Sequence, residues 1–174
     1  MMKRLFVWTG FLVATQIALV GCRATAETEQ ALETARLCLE SRKGVVPITV
    51  ELAVTPSQRE RGLMGRESLP ADHGMLFVYK QPRAADATFW MYRTFIPLDI
   101  AYIDQTGEIK AIRKMLPCTA DNPSRCPTYP AGAEHVWALE MNQGFFREQQ
   151  VLVGDRVIQV ASDESCPVQL PEAA

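Results

Sequence analysis

The sequence predicts an all-β fold, a mainly antiparallel sandwich or barrel with one short helix. Three observations predict it. Val46, Ile48, Val50, Leu52 and Val54 alternate with Pro47, Thr49, Glu51 and Ala53, the period-two signature of a half-buried strand. Further short apolar runs are separated by turn residues, with eleven prolines and ten glycines spread along the chain. Only one segment carries a full helix-start signal.

The elements follow in order. Ser41-Arg42-Lys43-Gly44 is a hairpin turn joining the long strand to a shorter one around Cys38. At Thr55-Pro56-Ser57-Gln58, Thr suits an N-cap, Pro the first helical position, and Gln can complete a capping box. Gly62 is placed to end that helix. Residues 65–74 form a polar loop, and Met75 to Tyr79 a buried strand. Gln81 to Asp86 reads as a turn, and Thr88 to Tyr92 as a strand with Phe89 and Met91 on one face, Trp90 and Tyr92 on the other. Leu98–Ile103 and the run from Ile109 to Arg113 form a hairpin about Asp104-Gln105-Thr106-Gly107. Val136–Met141 and Val157–Val160 are strands, and Gly144–Gln150 is a turn or a single helical turn.

The N-terminus is different in kind. Lys3 and Arg4 precede Leu5–Val20, which holds no charged residue. A basic region before an apolar run of that length is a signal peptide, and the run is shorter than the roughly 20 residues a membrane span needs. Leu19-Val20-Gly21-Cys22 resembles the lipobox of bacterial lipoproteins. By that resemblance residues 1–21 are removed and Cys22 is lipidated, so the membrane is a partner through Cys22. Residue 23 is Arg rather than Asp, which favours an outer-membrane address where there is one. Residues 22–35 read as a flexible tether and 36–174 as one β-rich domain.

The chain has 18 basic and 20 acidic residues. Without Lys3 and Arg4 the balance is 16 against 20, a net charge of −4, and no basic stretch points to nucleic acid. With Cys22 taken by lipid, Cys38, Cys118, Cys126 and Cys166 remain. Four cysteines in an oxidising compartment allow three pairings. Cys118 and Cys126 bracket a short polar loop that closes easily, which leaves Cys38 for Cys166.

Gly62-Leu63-Met64, Ser68-Leu69-Pro70, Gly74-Met75-Leu76-Phe77, Phe89-Trp90-Met91, Ile96-Pro97-Leu98-Asp99, Leu139-Glu140 and Gly154-Asp155 occur in that order. This pattern, over about Val50 to Val160, resembles the exported-protein family called domain of unknown function 192. The resemblance implies a compact β fold and no established activity. It departs at one place: the family has a basic residue and Asn after Trp-Met, where this chain has Tyr92 and Arg93.

The candidate chemistry is sparse. Asp99 and Glu140 are each set between apolar strand residues. Two such carboxylates can serve as acid and base with pKa values split by environment, or each can be held by loop N–H groups or by an arginine such as Arg61 or Arg93. The structural alternative is the expectation, because perturbed carboxylates are often structural. No G-x-S-x-G elbow places Ser57 or Ser68 beside His73 or His135, and no cysteine is left as a nucleophile. No C-x₂₋₄-C pair suggests zinc. Met64, Met75, Met91, Met115 and Met141 are spread as core fillers rather than clustered as copper ligands. No metal or cofactor is therefore expected. Trp90 and Tyr92 share a strand face that is either a second core layer or an open platform for a sugar or peptide. The leading expectation is a non-catalytic binding or interaction domain, tethered to the envelope. Its surface would comprise Trp90, Tyr92, Arg93, Asp99 and Glu140 near Arg61 and His73, and its ligand would be a sugar, a peptide or an envelope protein. The alternatives are a small enzyme using Asp99 or Glu140, and a purely structural envelope protein.

Overall fold

The computed structural model describes residues 31–159 and Cys166. The expected signal peptide, Cys22, most of the tether and Val160 lie outside the described residues.

The described residues form nine strands: β1 (Thr34–Ser41), β2 (Gly44–Ala53), β3 (His73–Arg83), β4 (Thr88–Trp90), β5 (Leu98–Ile103), β6 (Ile109–Met115), β7 (Thr128–Pro130), β8 (His135–Asn142) and β9 (Val157–Gln159). Two short helices accompany them, α1 (Pro56–Arg61) and the single turn α2 (Phe145–Glu148). Seven strands form one sheet in the order β6-β5-β8-β3-β2-β1-β9, and β4 pairs with β7. Every pairing is antiparallel except β2 with β3, so the all-β, mainly antiparallel expectation holds.

The sheet curls until its edges meet. Val157 N–H donates to Gly107 O at 2.8 Å and Ile109 N–H to Asp155 O at 2.9 Å, which removes most of the exposed edge. Gly107 permits this approach: a Cβ there would stand 2.6 Å from Val157 O, and its φ is +85°.

Two apolar layers follow from the alternation. Inside the curl, Leu37, Leu39, Ile48, Val50, Leu139, Met141 and Phe146 pack together. On the outer face, Met75, Phe77, Leu98, Ile100, Tyr102 and Ala138 pack beneath Leu63, Met91 and the β4–β7 ribbon. A strand buried on both faces is mainly apolar; β5 is buried at all six positions, with Asp99 its one charged residue.

Helix α1 forms as its sequence signals. Gln58 N–H donates to Thr55 Oγ1 at 3.2 Å and Thr55 N–H to Gln58 Oε1 at 2.9 Å, and Gly62 N–H closes the end on Gln58 O. Disulfides join Cys118 to Cys126 and Cys38 to Cys166, the pairing read from the sequence. They suit an oxidising, exported environment. Among the described residues, no helix is long and apolar enough to cross a membrane.

Several boundaries differ from expectation. β1 starts at Thr34, and Leu32 already packs partly on the core, so the domain begins before residue 36. β3 runs through Gln81 to Arg83 instead of turning; these residues are exposed, and their polarity marks a solvated strand end. β4 stops at Trp90, because Tyr92 and Thr94 bridge to Cys118 instead.

Candidate functional site

β8 and β5 run side by side with Ile100 opposite Glu140 and Asp99 opposite Met141. Opposed residues share a face and successive ones alternate. Glu140 therefore points to the outer face and Asp99 to the inside of the curl. The two carboxylates stand on opposite sides of one sheet, so the cleft joining them, expected for an acid–base pair, does not form.

Asp99 is held as a structural carboxylate. It is 3% exposed, and its Oδ2 accepts the Gly144 N–H at 2.8 Å, which fixes the turn into α2. Glu140 is not held. It is 4% exposed, yet among the described residues no N–H, hydroxyl or guanidinium bonds its carboxyl. Burial alone pushes its pKa up to about 8, because an unpaired charge in low dielectric is costly. Among the described residues the expected N–H or arginine partner does not bond it, so the structural expectation is corrected there for Glu140. At neutral pH the group is mostly the neutral acid, which both donates and accepts a hydrogen bond.

Glu140 forms part of a cavity of about 100 Å³ between the outer face, α1 and the β4 region. Phe77, Tyr79, Phe89 and Trp90 give it aromatic walls, and Thr94 a hydroxyl. Phe89 meets Phe77 edge-on at 5.1 Å. The strand period sets this arrangement: Met75, Phe77 and Tyr79 project on one side of β3, with Met75 opposite Glu140. Gly74 makes the close approach of β3 to β8 possible, since a Cβ there would collide with the Glu140 carbonyl and the Met141 sulfur.

Helix α1 supplies the basic side of the cavity. The Arg59 Nη1 donates to Val54 O at 2.6 Å and Val78 O at 3.0 Å, and its guanidinium lies over the Tyr79 ring, 4.8 Å from the centroid. Burial raises the Tyr79 pKa, with Arg59 and Arg83 opposing. Arg61 also lines the cavity.

At the rim Trp90 is 39% exposed, and its ring lies 5.9 Å from that of Tyr92. Arg93 stacks on Tyr92 at 5.2 Å. The Cys118–Cys126 loop holds this segment: Arg93 N–H donates to Cys118 O at 2.9 Å. Arg93 has a φ of +54°, a left-handed conformation that Asn tolerates better than most residues. That explains why the resembling family places Asn at this point, and it makes Arg93 a strained substitute.

Of the predicted surface, Arg61, Trp90 and Glu140 come together in the cavity, and Tyr92 and Arg93 flank it. Asp99 faces the other side. His73 opens β3 with its Nδ1 2.8 Å from Asp72 Oδ1 and is not part of the cavity lining. Sequence reasoning missed Arg59, Tyr79 and Thr94. Only Tyr79 had a usable signal, being two residues beyond Phe77 on the same strand face. His135 is buried against Tyr79 and Tyr102, with centroids at 5.9 and 4.9 Å. Burial lowers its pKa, and its Nε2 has no hydrogen-bond partner among the described residues. Among the described residues no three His, Cys, Asp or Glu gather as a metal site.

Known proteins place this geometry. The chain is 34% identical to a protein from Sinorhizobium meliloti 1021 whose crystal structure is described as a candidate transcription regulator; the TM-score is 0.68, covering 75% of this chain and 97% of that one. It is 27% identical to a protein of unknown function from Novosphingobium aromaticivorans DSM 12444, with a TM-score of 0.66, covering 83% and 99%. No functionally curated protein matches. The family model described as an uncharacterized ACR matches residues 37–159, and Gly62-Leu63-Met64, Phe77, Phe89-Trp90 and Glu140 of the resembling pattern meet around one cavity. The chain belongs to the domain of unknown function 192 family.

Proposed function

We propose that this is a lipid-anchored envelope protein whose Glu140 cavity binds a small, neutral, hydroxyl-bearing ligand of the sugar class. The observation that carries the proposal is the Glu140 carboxyl, buried in a cavity with no hydrogen-bond partner among the described residues. Leaving such a group unsatisfied costs about 1–3 kcal/mol, and a ligand hydroxyl recovers that. At the rim the exposed Trp90 ring, with Tyr92 tilted beside it at 44°, offers a platform for a pyranose face. The cavity itself has room for only a hydroxymethyl or similar group, with the rest of the ligand on the platform.

The test is calorimetric titration with sugars and peptidoglycan fragments, beside peptides as an alternative class. Saturable binding that Trp90→Ala weakens at least tenfold supports the proposal. Absence of binding for every sugar, or binding indifferent to Trp90→Ala and Glu140→Leu, overturns it. A second reading, a small enzyme, is favoured by one observation: Glu140 keeps its proton up to about pH 8, as a general acid must. Glu140→Gln separates the two, since the amide still hydrogen-bonds a ligand but cannot donate a proton to a leaving group. Turnover lost with binding retained would put catalysis first.

The anchor rests on the lipobox-like Leu19-Val20-Gly21-Cys22. Cys22→Ala is expected to release the protein from the membrane fraction or leave it unprocessed. Normal processing with unchanged membrane retention would contradict the anchor.

A further inference from the structure

We propose a second ligand site, independent of the Glu140 cavity and on the opposite face of the sheet, which takes a phosphorylated polyol. A cavity of about 490 Å³ lies where β5, β6 and α2 meet, within the size range of small-molecule sites. Arg42, Lys114 and Arg147 line it. Among the described residues none of these three side chains has an ion pair or hydrogen bond. They come from three separate elements, the β1–β2 turn, β6 and α2, in a chain whose net charge is −2. The site is thus a local reversal of the protein's charge, and unpaired guanidinium and ammonium groups are strong phosphate binders.

Asp99 narrows the ligand class. It lines the same cavity and is 3% exposed. Its Oδ2 is taken by the Gly144 N–H, whereas its Oδ1 has no hydrogen-bond partner among the described residues. Lys114 stands directly opposite it in the β5–β6 register. A buried acceptor without a donor requires one, and a phosphate dianion cannot supply it. A hydroxyl on the carbon skeleton next to the phosphate can. Ile112, Phe146 and Val151 add an apolar lining for that skeleton. The shared chemistry is that of glycerol phosphate, either as a free compound or as the headgroup of a phospholipid.

The experiment uses residues 22–174 with Cys22→Ala, which contain every described residue and carry no lipid. Calorimetric titration with glycerol 3-phosphate, inorganic phosphate and glycerol runs beside flotation with phosphatidylcholine vesicles, with and without phosphatidylglycerol. Saturable binding of glycerol 3-phosphate, tighter than inorganic phosphate or glycerol, is expected. Lys114→Gln with Arg147→Gln should weaken it at least tenfold at an unchanged melting temperature, since both side chains are exposed. Binding only in solution assigns a free phosphorylated polyol, and flotation that requires phosphatidylglycerol assigns a lipid headgroup; either upholds the site. No saturable binding in either arm, inorganic phosphate binding as tightly as glycerol 3-phosphate, or indifference to the double substitution overturns it.

Discussion

Asp99 and Glu140 differ by one step of register on neighbouring strands, and that step separates two kinds of buried carboxylate. Asp99 meets the N–H of Gly144 and pins a turn. Glu140 meets aromatic rings and a cavity, and keeps its proton instead of finding a partner. The same residue class in the same apolar context is bonded by a backbone N–H on one face and faces a cavity on the other. What decides is not the strand but what covers it. Inside the curl, α2 brings an N–H; outside, α1 and the β4 region bring arginines and rings and leave a gap.

The largest expected effect concerns pH and stability. The Glu140 pKa is raised from 4.5 to about 8 on folding, so the folded state holds the proton more tightly than the unfolded one. Its contribution is fully present below about pH 4.5 and is lost as pH rises through about 8. At about 1.4 kcal/mol per pKa unit, the loss across that window is up to about 5 kcal/mol. Denaturant melts of the parent and of Glu140→Gln between pH 5 and 9 should show a falling curve for the parent and a flatter one for the variant. Parallel curves would remove the contrast with Asp99.

Gly74→Ala comes next, because it tests the strand approach that buries Glu140. Its Cβ meets backbone, which cannot rotate away, and a loss of about 3 kcal/mol is expected, in the range of overpacked cores. A melting temperature equal to the parent's would show that β3 and β8 have slack there. Asp99→Ala should cost about 1–3 kcal/mol by leaving the Gly144 N–H buried without an acceptor. Retained stability would make Asp99 no more structural than Glu140.

Much of this frame was legible in the sequence. Period-two alternation located β2, the capping box located α1, and cysteine spacing gave the disulfides. In the half of the site carried by Trp90, Glu140 and Arg61, the first two were legible because an amphipathic and a charged residue stood within apolar runs, and Arg61 because it stood at the end of the expected helix. The face each carboxylate would take was not. β5 and β8 are apolar on both sides, so their alternation carries no sign of inside or outside. Arg59 and Thr94 were hidden because their roles depend on how α1 and the disulfide loop cover the sheet, a tertiary matter. Tyr79 was readable as strand but not as cavity wall.

The smallest expected effect sits at the rim. Arg93→Gly relieves a left-handed backbone at φ +54° and should stabilise the fold by about 0.5–1 kcal/mol, measured by denaturant melts. Arg93→Asn should do so in the same direction. A loss of stability in both would mean that the stacking of Arg93 on Tyr92 outweighs the strain.

The most direct measurement is the titration of Glu140 itself. Carbon-13 carboxyl resonances of a glutamate-labelled sample, assigned by the signal missing from Glu140→Gln, report its ionisation without reference to folding or ligand. A midpoint near pH 8 is predicted, shifting on addition of a sugar that binds. A midpoint in the ordinary range of about 4–5 would mean that the carboxyl is solvated or paired, and would contradict the account of an unpartnered acid waiting for a ligand.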